Sequence, residues 1–92
     1  MLLRISRDPN PSPGVRLKAE GRLIASFAAL VEDEGRAALA AADTVVLDLS
    51  GVSVVDRAGL EALSRLDRAG VTITGCSEIV ASILAAEGIR TA

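Results

Sequence analysis

The sequence contains no histidine, tryptophan or tyrosine, and only one phenylalanine (Phe27), one cysteine (Cys76) and one methionine (Met1). The missing histidines remove the commonest general base and the commonest metal ligand. The missing aromatics leave no platform on which bases or sugars could stack. A single cysteine excludes an internal disulfide and suits a reducing compartment. No apolar run approaches the roughly 20 residues that a membrane span needs. Arg4, Arg7 and Asp8 break the N-terminal stretch before it reaches the length of a signal-peptide core. A cytoplasmic location without direct membrane insertion is therefore expected. Ten cations, dispersed from Arg4 to Arg90, face twelve acids for a net charge of −2. That balance carries no electrostatic footprint for nucleic acid.

What is present is aliphatic. The 92 residues are 50% apolar and 24% charged, which fits one domain over 1–92 with a single modest core. The run LLRIS (2–6) reads as a strand, and DPNPSPG (8–14) holds all three prolines and reads as a loop. VRLKAE (15–20) alternates, with Val15, Leu17 and Ala19 opposite Arg16, Lys18 and Glu20. From 24 to 42 the spacing turns helical, with Ile24, Phe27, Val31, Ala38 and Leu39 on one stripe. Gly35 interrupts that stripe.

TVVLDL (44–49) reads as a strand, and 58–70 as a helix carrying Leu60, Leu63 and Leu66, ended by Gly70. VTIT (71–74) alternates again. A helix over 77–88 follows, with Ser77 as N-cap, Gly88 as stop, and Ile79, Val80, Ile83 and Leu84 as its apolar stripe.

The order β-β-α-β-α-β-α predicts an α/β domain with a mixed sheet: an antiparallel hairpin, then parallel βαβ units. Right-handed crossovers in one direction put the helices mainly on one face. The strands agree, because Val45, Leu47 and Leu49 line one side while Thr44 and Asp48 line the other. A sheet covered on both faces would read as continuous apolar runs.

Catalytic constellations are missing. Cys76 has no histidine partner and reads as a semi-buried residue at a strand-to-helix turn. Glu32, Asp33 and Glu34 are consecutive, so they fan around a helix as a solvated face, with an acidic docking patch as the alternative. Asp48 reads as a surface or rim residue. No metal site, cofactor motif or nucleophile–base pair is expected, and hence no enzyme.

The stretch DRAGL (56–60), where a strand gives way to a helix, is the one unusual turn. Asp56 is a strong N-cap whose carboxylate can accept from Ala58 or Gly59. Gly59 lets a backbone or partner approach closely. Arg57 puts a cation at the end of the helix dipole that favours anions. It reads as a surface arginine simply tolerated there, with a functional reason for the local misfit as the alternative.

VVLDLSGVSVVDRAGLEAL, followed by AGVTITGCSEIVASILAAEGI, resembles the STAS domain family, over nearly the whole chain and most closely from 45 to 89. That family includes anti-sigma factor antagonists, cytoplasmic tails of sulfate transporters and accessory subunits of ABC transporters. The resemblance implies that the turn is a partner-binding site. In phosphoregulated members it reads Asp-Ser-Ser/Thr-Gly, and a kinase that is itself the anti-sigma factor phosphorylates the second hydroxyl. Asp56 and Gly59 match, whereas Arg57 and Ala58 occupy the hydroxyl positions and Ala58 offers no phosphoacceptor.

The resemblance therefore implies a protein-interaction module of the antagonist type. It would dock an anti-sigma factor or related kinase through Ser53 in the preceding loop, Asp56, Arg57, Ala58, Gly59 and Glu61. It would lack a phosphorylation switch; the alternative is Ser53, the nearest hydroxyl, as a substitute acceptor outside the first helical turn. The alternatives are an accessory subunit binding the ATPase of a phospholipid-transport ABC system, and a nucleotide or small-anion sensor. A transporter tail is not expected, because Met1 begins the domain. The first strand leaves homodimerisation open, although its arginines blunt such an edge.

Overall fold

The computed structural model describes residues 3–7 and 14–91. The proline-bearing stretch 8–13 lies outside the described residues. Strand β1 (Leu3–Arg7) pairs antiparallel with β2 (Val15–Leu23). Helix α1 (Phe27–Ala41) leads to β3 (Val45–Val55), α2 (Arg57–Ala69), β4 (Thr72–Thr74) and α3 (Glu78–Ala86). Pairings β2–β3 and β3–β4 are parallel, and the sheet order is β1-β2-β3-β4. The mixed sheet expected from the sequence is thus present.

One core holds the layers together. Leu17, Leu23, Leu47, Leu49 and Ile73 from the strands meet Leu63, Leu66 and Leu84 from the helices, all at 2% exposure or less. Each such side chain contributes about 1.5–3 kcal/mol on burial. On the other face, Arg16 and Lys18 are exposed, and Arg16 pairs with Asp48 across β2–β3 at 3.3 Å. The helices cover one side, and the second side is polar.

Both central strands run further than the alternation suggested. The nine residues of β2 span eleven of β3, from Val15↔Val45 to Leu23↔Val55, so β3 carries two bulges. Each bulge resets the two-residue period. Leu49 and Val52, three apart, are therefore both buried, while Ser50 and Gly51 are exposed. Asp48 shapes the first bulge, its Oδ1 accepting the Ser50 N–H at 2.8 Å. Ser53 lies on β3 rather than in a loop, and its hydroxyl donates to the Gly21 carbonyl at 3.4 Å.

Three helical expectations also change. Ile24 precedes α1, which starts at Phe27. Gly35 is buried, and a Cβ there would sit 2.6 Å from Leu66 Cδ2, so it is where α1 and α2 approach closely. On α3, Val80 and Leu84 are buried but Ile79 is 75% exposed and Ile83 37%. The buried stripe of this short helix is narrower than its apolar composition implies. The caps hold: Ser77 Oγ accepts from Val80 N at 3.2 Å, and Gly70 closes α2 at φ +113°.

The acidic triplet divides. Glu32 accepts a two-pronged bond from Arg65 of α2 at 2.9–3.0 Å and another from Arg36 at 3.2 Å. The Arg65 hydrogen bond chiefly holds its carboxyl below the usual range. Asp33 and Glu34 stay exposed.

Filling the α1–α2 contact should be costly. Gly35→Val is expected to lower the stability read from urea unfolding by about 1–3 kcal/mol, through overpacking against the fully buried Leu66.

Candidate functional site

Strand β3 ends at Val55, and α2 begins two residues later. Asp56 makes that transition possible. Its Oδ1 accepts the Gly59 N–H at 2.9 Å, as an N-cap does, and its backbone carbonyl receives the first helical bond from Leu60 N at 2.9 Å. Its Oδ2 does something the sequence did not reveal. It accepts the N–H of Ala25, in the turn between β2 and α1, at 2.9 Å. Ala25 is an alanine at φ +50°. The left-handed region costs a non-glycine residue about 1–2 kcal/mol, so the carboxylate holds a conformation that the residue alone disfavours.

Gly59 completes the clamp. It is buried, and a Cβ on it would fall 2.2 Å from the Leu23 carbonyl oxygen. The backbone that approaches this glycine is the chain's own, at the end of β2, rather than a partner's. The Asp56 N–H donates to the same Leu23 carbonyl at 3.3 Å. First the Gly59 N–H and then the Ala25 N–H keep the Asp56 carboxyl below the ordinary carboxylate range.

The remaining positions form the outward surface. Ala58 is half-buried on the first turn of α2, between exposed Arg57 and buried Gly59. Arg57 is not left alone against the helix dipole. Its guanidinium meets Glu87, at the end of α3, at 2.8 Å and Glu61 one turn on at 3.7 Å. These exposed pairs add little stability, but they fix where the charges stand. Val54, near the end of β3, is a 46% exposed apolar side chain that the sequence reading missed. It lies beyond the strand that the alternation indicated over 44–49.

The structure thus groups Asp56, Arg57, Ala58, Gly59 and Glu61 at one helix start, while Ser53 sits three residues back on the sheet. Cys76 is half-buried, and burial pushes its thiol above the usual value. That shift works against a thiolate nucleophile.

Two expectations follow for the clamp. Gly59→Ala should cost about 1–3 kcal/mol in urea unfolding despite the better helix propensity of alanine, because a carbonyl oxygen cannot swing away as a side chain can. The Asp56 carboxyl is depressed in the folded state, so its contribution is complete above the unfolded value of about 3.9 and is lost as pH falls through the folded value. Asp56→Asn should therefore flatten the acid limb of a thermal-midpoint profile while lowering the midpoint at neutral pH.

Among the described residues no group of His, Cys, Asp and Glu could hold a metal ion, and no helix is long and apolar enough to cross a membrane. No curated protein matches the chain. The family model described as "Mlab, STAS domain" matches residues 7–91. With that match spanning nearly all of the sequence, the chain belongs to the STAS domain family.

Proposed function

We propose that the chain is a protein-docking module of the anti-sigma-antagonist type, which meets an anti-sigma factor or related kinase with the start of α2 and works by binding rather than catalysis, in the cytoplasm. One observation carries the reading. The first turn of α2 is anchored from both sides by Asp56, yet none of its residues, Arg57 to Leu60, has a hydroxyl.

In phosphoregulated relatives this turn is charged by phosphorylation, which adds bulk and repulsion at an interface. Here the methyl of Ala58 takes that position. The surface is then permanently competent to bind, and control passes to the partner. Arg57, next to the small Ala58, is paired with Glu61 and Glu87, and Val54 near the end of β3 is an exposed apolar side chain. Charges around a small centre favour register and selectivity over raw affinity.

A second reading is an accessory subunit seated on the ATPase of a phospholipid-transport ABC system. The Ala58–Gly59 pair favours it, since subunits of that kind resemble this chain in placing a small residue before the glycine. Affinity capture from the native cell with mass-spectrometric identification separates the two. An anti-sigma kinase supports the first reading, and a transporter ATPase replaces it with the second.

A substitution separates binding from folding. An acid in the first turn is favourable to the helix dipole, so Ala58→Asp should keep the thermal midpoint. It should nonetheless weaken the captured partner by about tenfold or more, equivalent to about 1.4 kcal/mol. Unchanged affinity would remove Ala58 from the interface. With the kinase and ATP, the wild-type chain should take up no phosphate, whereas Ala58→Ser should be modified. Phosphate on Ser53 of the wild type would overturn the unswitched reading.

A further inference from the structure

We propose that the β1 edge, with the groove beside it, is a homodimer interface in which a second copy of this chain adds its own β1 antiparallel to the first. The sheet order leaves β1 at an edge, and among the described residues no strand lies beyond it. The other edge is partly closed, since Thr91 bridges Ile73 of β4. An open edge offers a row of main-chain donors and acceptors to another strand.

Apolar surface lies next to that row. A groove of about 520 Å³ runs between β1 and α1, lined by Leu3, Ile5 and Leu30, and Leu30 is 53% exposed. At its rim stand Arg7 from β1 and Asp33 and Glu34 from α1. All three are exposed, and none belongs to an ion pair among the described residues. By contrast Arg16, Arg36, Arg57 and Arg65 each have an acidic partner.

A patch that carries both signs unpaired is complementary to itself. A two-fold axis lays the cation of each copy against the acids of the other, the isologous arrangement of most dimers. The strand sequence fits the same axis. Pairing centred on Ile5 sets Ile5 on Ile5, Arg4 opposite Ser6 and Arg7 opposite Leu3, so no arginine faces another. The arginines that blunt this edge toward foreign strands are accommodated by a second copy. Within the sheet, β2 lies between this edge and β3, whose end leads into the docking surface at 54–61, while α1 itself packs on α2 through Gly35 and Leu66.

Sedimentation equilibrium of the full chain over a wide concentration range is the test. The wild type should approach twice the chain mass, more weakly at high salt. Leu30→Arg should weaken association at least about tenfold, as expected for losing one buried apolar side chain. Its unchanged circular dichroism should confirm folding, because Leu30 is already exposed. Arg7→Glu alone, and Asp33→Arg with Glu34→Arg in one chain, should each be monomeric, whereas an equimolar mixture of the two should regain dimer mass. A wild type that stays monomeric, a dimer indifferent to Leu30→Arg, or a mixture that fails to associate would overturn the interface.

Discussion

A single carboxylate joins three segments of this protein. Asp56 Oδ1 caps α2 through Gly59, Oδ2 holds the turn at Ala25, and the Asp56 N–H reaches the Leu23 carbonyl at the end of β2. The local structure at the start of α2 follows from that arrangement. Helix α2 starts immediately after β3 with one of its orphan donors, the Gly59 N–H, satisfied by Asp56. It can lie against β2 only because Gly59 has no side chain to strike Leu23. The left-handed Ala25 turns the chain from β2 into α1 at the same place.

The division of labour inside the turn bears on function. Asp56 and Gly59, the positions that match the family pattern, are occupied with the chain's own backbone. The positions that depart from it, Arg57 and Ala58, lie outside that clamp, with Arg57 exposed and Ala58 half-buried. Arg57 is steered by Glu61 and Glu87 instead of swinging free. Here Arg57 and Ala58 carry a cation and a methyl, and neither can be charged and discharged.

Much of this was legible in the sequence. The order of elements, the hairpin followed by parallel units and the one-sided core come directly from the alternation in 15–20 and 44–49 and the leucine spacing of 58–70. The Asp56, Ser77 and Gly70 caps were legible too, because capping is local chemistry. What stayed hidden was tertiary or irregular. The bulges opposite Lys18–Glu20 and Gly21–Arg22 shift the period, so β3 looked six residues long instead of eleven and Ser53 looked like loop. On α3 two adjacent stripes are apolar, and only packing shows that Val80 and Leu84 go inside while Ile79 stays out. Glu32 looked like its neighbours until Arg65, 33 residues away, reached it. The second oxygen of Asp56 and the strained Ala25 left no trace in composition or spacing.

The start of α2 as the docking face is tested most directly by amide NMR of the labelled chain during titration with the captured partner. Resonances of Val54, Arg57, Ala58 and Glu61 should shift first and furthest, with the polar sheet face around Arg16 and Lys18 unmoved. Shifts confined to that sheet face or to α3, with the first turn of α2 silent, would contradict it.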